Sequence, residues 1–280
     1  MVLNTSDDPI AYWNGAAGEL WATEQEAIDR ALEAFTGVLL DDAAIGRGSR
    51  VLDIGCGCGR TTLAAADAAG ADGTVVGIDV SAPMLARARE RAGARGNVRF
   101  VLGDAAEHAF DTTFDVALSR FGVMFFADPE RAFAHILGVL RPGGALVFVC
   151  WRAVAENAWV TVPYGAAAPF LPPPPAANPE QPGPFAFADE ARVRRILSRA
   201  GFVAVETKGF DADFVLSDTG VDDAVRFATT TGPTARALRE AGEAASENVR
   251  AAIHARFQEF ARGSRVALGG AVWRVQARRA

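Results

Sequence analysis

The segment Asp53-Ile54-Gly55-Cys56-Gly57-Cys58-Gly59 carries the sharpest chemical signal in this sequence. It follows the apolar run RVLDI at 50–54 and precedes a helical stretch. Glycines at such a junction let backbone N–H groups approach a ligand closely, and the helix N-terminus favours an anionic group there. The spacing departs from the dinucleotide fingerprint G-x-G-x-x-G, because the third glycine comes one position early and Arg60 occupies the required place. Asp79 closes a second strand-like run 24 residues after Gly55, a placement suited to accepting hydrogen bonds from a ribose diol. Asp104 closes a third run, in Gly103-Asp104-Ala105. Carboxyl ends of neighbouring parallel strands share one rim, so Asp53, Asp79 and Asp104 are expected to face one crevice and one ligand. Each acid alone reads more readily as a helix cap; three in register point to a ligand.

The elements that must hold these groups follow from periodicity. Strand-like runs recur at 75–78, 98–102, 114–118 and 145–150, and helical stretches lie between them at 61–69, 82–93 and 128–140. Ser81 with Pro83 and Asp128 with Pro129 are N-cap and first-turn signals. Such alternation predicts right-handed crossovers and a doubly wound α/β domain. Leu20, Trp21, Ile28, Leu32, Phe35 and Leu39 predict a helical lead-in over 1–45. Beyond Trp151 come a Pro/Ala-rich stretch with scattered aromatics, a helix near 189–200, a strand at 202–208, a helical block and a last strand at 271–278. The helical block carries an apolar stripe, Val249, Ile253, Phe257 and Phe260. Segments 152–188 and 215–265 leave the ligand-binding rim and are expected to cap an acceptor pocket; packing on each other or a dimer contact is the competing reading.

From VLDIGCGCGRTTL through VVGIDVSAPMLARAR, VRFVLGDA and FDVALSRFGVMFFADP to LRPGGALVFVCW, residues 50–151 resemble the class I S-adenosylmethionine (SAM)-dependent methyltransferases. The likeness is to the small-molecule branch similar to the ubiquinone/menaquinone-biosynthesis enzymes. It implies a Rossmann-like, mostly parallel seven-stranded sheet with an antiparallel last strand, all 280 residues forming one methyltransferase domain, and S-adenosylhomocysteine as the cofactor product. It implies that Gly55 and Gly57 contact the methionine moiety, that Asp79 holds the ribose hydroxyls and Asp104 the adenine amino group, and that Asp53 lies near the ligand's amino end. Ser119 then offers a backbone site, Met84 packs on adenine, and Cys56, Thr61, Val80, Gly103 and Ala105 complete the cofactor site. Tyr12 and Trp21 would close over it. The rim after strands four and five, with Arg120, Phe121, Trp151, Arg152, Glu156 and Asn157, is the expected acceptor side.

Composition bounds the alternatives. A chain of 280 residues, 50% hydrophobic and 22% charged, is that of a folded protein. A net charge of −6 argues against nucleic acid as a main partner. No apolar run of about eighteen residues and no basic leader is seen, so no membrane span, and a cytoplasmic location, are expected. Three cysteines without a C-x-x-C pair give neither a disulfide framework nor a zinc site, and no metal is expected. His108, His135 and His254 are weak candidates for chemistry, and no residue stands out as a general base. The expected partner is a small, partly hydrophobic methyl acceptor, and the protein a monomer or homodimer. Rival readings are a SAM-fold binding or scaffolding protein without methyl transfer, a SAM enzyme with other chemistry, and an NAD-dependent oxidoreductase.

Overall fold

The computed structural model describes residues 9–173, 178 and 180–280. Expectations that touch residues 1–8, 174–177 and 179 lie outside the described residues. The N-terminal periodicity forms four helices, α1 (Pro9–Asn14), α2 (Ala16–Thr23), α3 (Gln25–Ala31) and α4 (Glu33–Ala43). Alternation then proceeds as β1 (Arg50–Ile54), α5 (Arg60–Ala69), β2 (Thr74–Asp79), α6 (Ala82–Ala92), β3 (Val98–Leu102), β4 (Phe114–Arg120), α7 (Pro129–Val139) and β5 (Leu140–Trp151). The predicted caps are present: Ser81 Oγ accepts from the Met84 N–H, and Asp128 Oδ1 from the Arg131 N–H at 3.1 Å. After β5 come α8 (Ala158–Ala167), α9 (Glu190–Arg199), β6 (Val203–Ser217), α10 (Val221–Thr230), α11 (Gly232–Ala241), α12 (Ser246–Gln258), β7 (Ala261–Arg262) and β8 (Arg265–Arg278).

The sheet runs β3-β2-β1-β4-β5-β8-β6, with β1 to β5 parallel and β8 antiparallel to both β5 and β6. Seven strands lie on that path, as expected, and the two-residue β7 adds an eighth by pairing with β8. Strand order reverses between β1 and β4. Right-handed crossovers therefore send α5 and α7 to opposite faces, and the loops after β1 and β4 open a crevice between them. Some expected boundaries move. Strand β5 starts at Leu140 rather than 145. Strand β6 runs to Ser217 rather than residue 208, and β8 starts at Arg265 rather than 271, because the two pair from Val203↔Arg278 to Ser217↔Val266, with register shifts between Val203 and Glu206 and between Val215 and Ser217. Alternating exposure along the solvent-facing part of β6 leaves polar residues such as Asp211 and Asp213 in the strand, and these end the run when read from sequence.

The segments after β5 and β6 pack together, α12 against α8 and α10, and α11 against α8 and α10. Val249, Ile253 and Phe257 of α12 are fully buried in those contacts. Among the described residues no helix is long and apolar enough to cross a membrane, and no group of three His, Cys, Asp or Glu is placed to hold a metal.

Candidate active site

The crevice at the β1/β4 reversal opens into a cavity of about 480 Å³, lined mainly by apolar atoms. This is within the range typical of small-molecule sites. The glycine loop forms its floor. Gly55, Gly57 and Gly59 have φ of +66°, +52° and +81°, a left-handed region that side chains rarely adopt. A Cβ on Gly55 would lie 2.8 Å from the Gly122 Cα, so this glycine lets the β1 and β4 loops touch. A Cβ on Gly57 would meet only Met84 Sδ, at 3.7 Å, leaving the space above the loop open.

Asp79 governs the conformation of that floor. Its Oδ2 accepts from the Gly57 N–H and its Oδ1 from the Ser81 N–H, both at 2.8 Å. It is buried, which pushes its pKa up to about 6, against the lowering effect of those two N–H groups. Asp104 is half-buried on the same wall and accepts from the Ala106 N–H at 2.8 Å. Val80, Met84, Gly103 and Ala105 surround this end, and Cys56 and Thr61 border the loop. Burial raises the Cys56 thiol well above its ordinary value and Cys58 to about 12, so both remain thiols and act as loop packing.

Five expected site residues do not reach the cavity. Asp53 is fully buried beneath the loop, its Oδ2 accepting from the Thr61 and Thr62 hydroxyls at 2.5 and 2.6 Å. Burial raises its pKa, while the two hydroxyls and Arg120 oppose the rise. Its side chain is turned toward α5, so the three acids do not all face one crevice; Asp79 and Asp104 both border the cavity. Ser119 Oγ donates to the Ile54 carbonyl and accepts from the Gly122 N–H, tying β1 to the turn after β4. Asn157 Oδ1 accepts from the Ala271 N–H and Trp159 Nε1, and its Nδ2 donates to the carbonyls of Arg152 and Ala153. With every polar atom engaged and no exposure, it is a brace between α8 and β8, not an acceptor contact. Arg152 and Glu156 pair with each other, Arg152 also with Asp211, away from the cavity.

The N-terminal helices close the opposite wall. Tyr12, Trp13 and Trp21 line the cavity, with Trp13 edge-on to Trp21 at 5.5 Å and to Phe125 at 5.4 Å. Asn14 clips α1 to the end of β2, donating to the Val80 carbonyl at 2.7 Å and accepting from the Ala82 N–H at 3.0 Å. Trp13 and Asn14 were not singled out from sequence, where nothing separates them from ordinary helix residues. Gln25 and Asp29 were also missed, although a signal existed: with Ile28 and Leu32 they occupy positions i, i+3, i+4 and i+7, polar groups on the apolar face. Asp29 pairs with Arg91 at 2.9 Å and Arg120 at 3.3 Å, and accepts from Gln25 at 2.6 Å. Arg120 also donates from Nη1 to Thr36 at 2.8 Å, and its Nε makes no hydrogen bond among the described residues. Arg91 reaches the Cys58 carbonyl at 2.6 Å, which joins this charged cluster to the glycine loop.

On the far side the cavity becomes aromatic. Phe121, held at φ +63°, stacks on Trp151 with centroids 4.2 Å apart, and Trp159 stacks on Phe214 at 4.6 Å. Phe227, Thr231, Thr234 and Arg236 continue this wall from α10 and α11. The segments after β5 and β6 thus both contribute, but through Trp159, Phe214 and the α10–α11 turn. The Val249–Ile253–Phe257 stripe lies behind them, packed on α8 and α10, and does not border the cavity. Among the described residues no histidine borders the cavity: His135 bonds the His108 carbonyl, and His254 pairs with Asp222 at the surface.

A family described as a methyltransferase domain matches residues 51–144. Demethylmenaquinone methyltransferase of Staphylococcus aureus (strain JH9) is 31% identical over 187 residues, 61% of this chain and 75% of that protein. The chain belongs to the class I SAM-dependent methyltransferases. Solved structures similar to this methyltransferase share its fold. Phosphoethanolamine N-methyltransferase 2 of Haemonchus contortus, in complex with SAM, superposes with a TM-score of 0.60 over 97% of this chain and 60% of that one, at 17% identity. The [4+2]-cyclase SpnF superposes with a TM-score of 0.54 over 94% and 95%, at 20% identity. The methyltransferase is thus a SAM-dependent enzyme, and the rival dehydrogenase reading, already disfavoured by the glycine spacing, falls away. The donor set fits that cofactor: buried Asp79 offers an acceptor to a diol, Asp104 one to an amino group, and the open space over Gly57 admits a ligand against the backbone.

Proposed function

We propose that this methyltransferase binds SAM along the glycine loop and methylates an apolar, ring-bearing molecule held against the Phe121/Trp151 and Trp159/Phe214 stacks. The observation that carries this reading is the continuity of one cavity from Asp79 and Asp104 to those aromatic pairs. The core over 50–151 would hold the cofactor, and segments 152–188 and 215–265 would close over the acceptor, all within a single functional unit. Asp79 would accept the ribose hydroxyls with the lone pairs that Gly57 and Ser81 leave free. Asp104 would take the adenine amino hydrogen between Met84 and Ala105. Arg120 is better suited to the cofactor than to the acceptor. Beside Asp29 on the cavity wall, its unspent Nε complements a carboxylate, as Asp29 complements an ammonium, so the pair matches the zwitterionic end of the methionine moiety.

When bound, SAM supplies a methyl group already activated by its sulfonium. The task of this chain is then to position and to exclude water. Trp13 and Trp21 would shut the α1–α2 side and Trp159 the cap side, while Phe121 and Trp151 present ring faces suited to an aromatic acceptor and a nearby cation. These walls point to an acceptor with an apolar ring. Purified protein should carry or bind SAM or S-adenosylhomocysteine, and a screen of phenolic, amine and polyketide-like acceptors should give products one methylene heavier. Cofactor binding with turnover of none of the ring-bearing acceptors, and binding of none, would favour the non-transferring reading.

A further inference from the structure

Charge is distributed unevenly along the cavity. Its acidic residues, Asp29, Asp79 and Asp104, stand at the end built by α3 and the β2 and β3 termini. The other charged wall residues are Arg120, which is paired with Asp29, and Arg236 and Arg239 of α11. Arg236 is four-fifths buried, its side chain keeping 20% exposure. Its Nε donates to Glu240 Oε1 at 2.8 Å, but neither Nη nitrogen has a hydrogen bond among the described residues, and Nη1 is wholly enclosed. Glu240 does not border the cavity and is half exposed. A mostly buried guanidinium with two unspent nitrogens is costly unless a partner arrives, and its planar fork matches a carboxylate or phosphate. The aromatic wall leads to it: a Cβ on Gly232, at the start of α11, would lie 3.5 Å from the Trp159 ring.

We propose that the acceptor carries an anionic oxygen group, carboxylate or phosphate, remote from the atom that is methylated, and that Arg236, with Arg239 beside it, binds that group while the acceptor's ring lies on the Trp159/Phe214 wall. This rests on the reading of the aromatic lobe as the acceptor site. Arg236 is then a specificity determinant. It rewards an acidic acceptor and penalises the neutral isostere, which leaves the guanidinium unpaired.

The test uses the whole chain with S-adenosylhomocysteine present, and titrates naphthoate, naphthyl phosphate and methyl naphthoate by calorimetry, with quenching of tryptophan fluorescence as a second readout. At least one anion is expected to bind about tenfold or more tighter than the ester. In Arg236→Met that preference should fall to near unity, while Arg236→Lys keeps part of it and both variants bind S-adenosylhomocysteine as the wild type does. An ester that binds as tightly as both anions, a preference that survives in Arg236→Met, or no binding of any naphthalene probe overturns the proposal. Failure of S-adenosylhomocysteine itself to bind would instead overturn the cofactor reading. Should Arg236→Met melt early, the wild-type preference and Arg236→Lys still decide.

Discussion

Asp79 makes a pH-dependent prediction that isolates one carboxylate. Burial lifts its pKa from 3.8 to about 6, so near neutral pH it is ionised, and below about pH 6 it becomes protonated. A ribose diol donates to the ionised carboxylate, so binding favours the charged form and should release a proton as pH falls toward 6. The sign is therefore weaker binding in acid. At about pH 5 roughly a tenth of the carboxylate is ionised, and the apparent Kd should rise about tenfold relative to about pH 7.5. For the free protein, a raised pKa means that the stability contributed by this group is fully present below about pH 4 and is lost as pH rises through about 6. Asp79→Asn should weaken binding by about tenfold to a hundredfold near neutral pH, the loss of a charge-assisted hydrogen bond. It should also flatten the acid limb, because amides do not titrate. Calorimetry with 5′-methylthioadenosine, which keeps the ribose and adenine but lacks the titrating amino-acid end, is the cleanest assay. In a folded protein, a flat wild-type profile over this range, or an unchanged Kd in Asp79→Asn, would refute the assignment.

Other substitutions separate machinery from scaffold. Gly55→Ala must accommodate φ +66° and a Cβ 2.8 Å from the Gly122 Cα, so loss of SAM binding with a lower Tm is expected; wild-type affinity and Tm would contradict this close approach. Asn157→Ala leaves the Ala271 N–H, the Trp159 Nε1 and two carbonyls without their partner, and should cost about 2–3 kcal/mol in denaturant unfolding while SAM affinity stays constant. Phe257→Ala removes a fully buried ring behind the cavity and should cost about 3–5 kcal/mol with acceptor selectivity preserved, whereas Trp159→Ala should change acceptor KM or selectivity and spare SAM affinity. Equal effects of these last two on acceptor kinetics would place the stripe at the cavity after all.

Much of this molecule is legible in the sequence because its signals are local. Glycines at 55, 57 and 59 take left-handed φ values, Ser81 and Asp128 cap the helices they precede, and apolar runs set β1 to β4. Parallel strands then bring Asp79 and Asp104 to one rim by geometry alone. What lies outside such rules was decided by contacts between distant residues. The sequence pattern puts Asp53 on the same rim as the other two acids, yet it pairs with Gly77, two residues short of Asp79, and the Thr61 and Thr62 hydroxyls hold it under the loop. Arg120 reads in the sequence only as a rim residue, and it is the fold that sets Asp29, 91 positions earlier, against its guanidinium. The stripe of α12 is genuinely apolar, but an amphipathic pattern states only that a face is buried and not against what; here α8 and α10 take it, and the cavity goes to Trp159, Phe214 and α11. Strand β6 outruns its apolar pattern because the ladder to β8 supplies backbone hydrogen bonds that no local residue preference records. The glycine-loop end of the cavity is thus written in short-range backbone chemistry, while its aromatic end exists only once remote segments have packed.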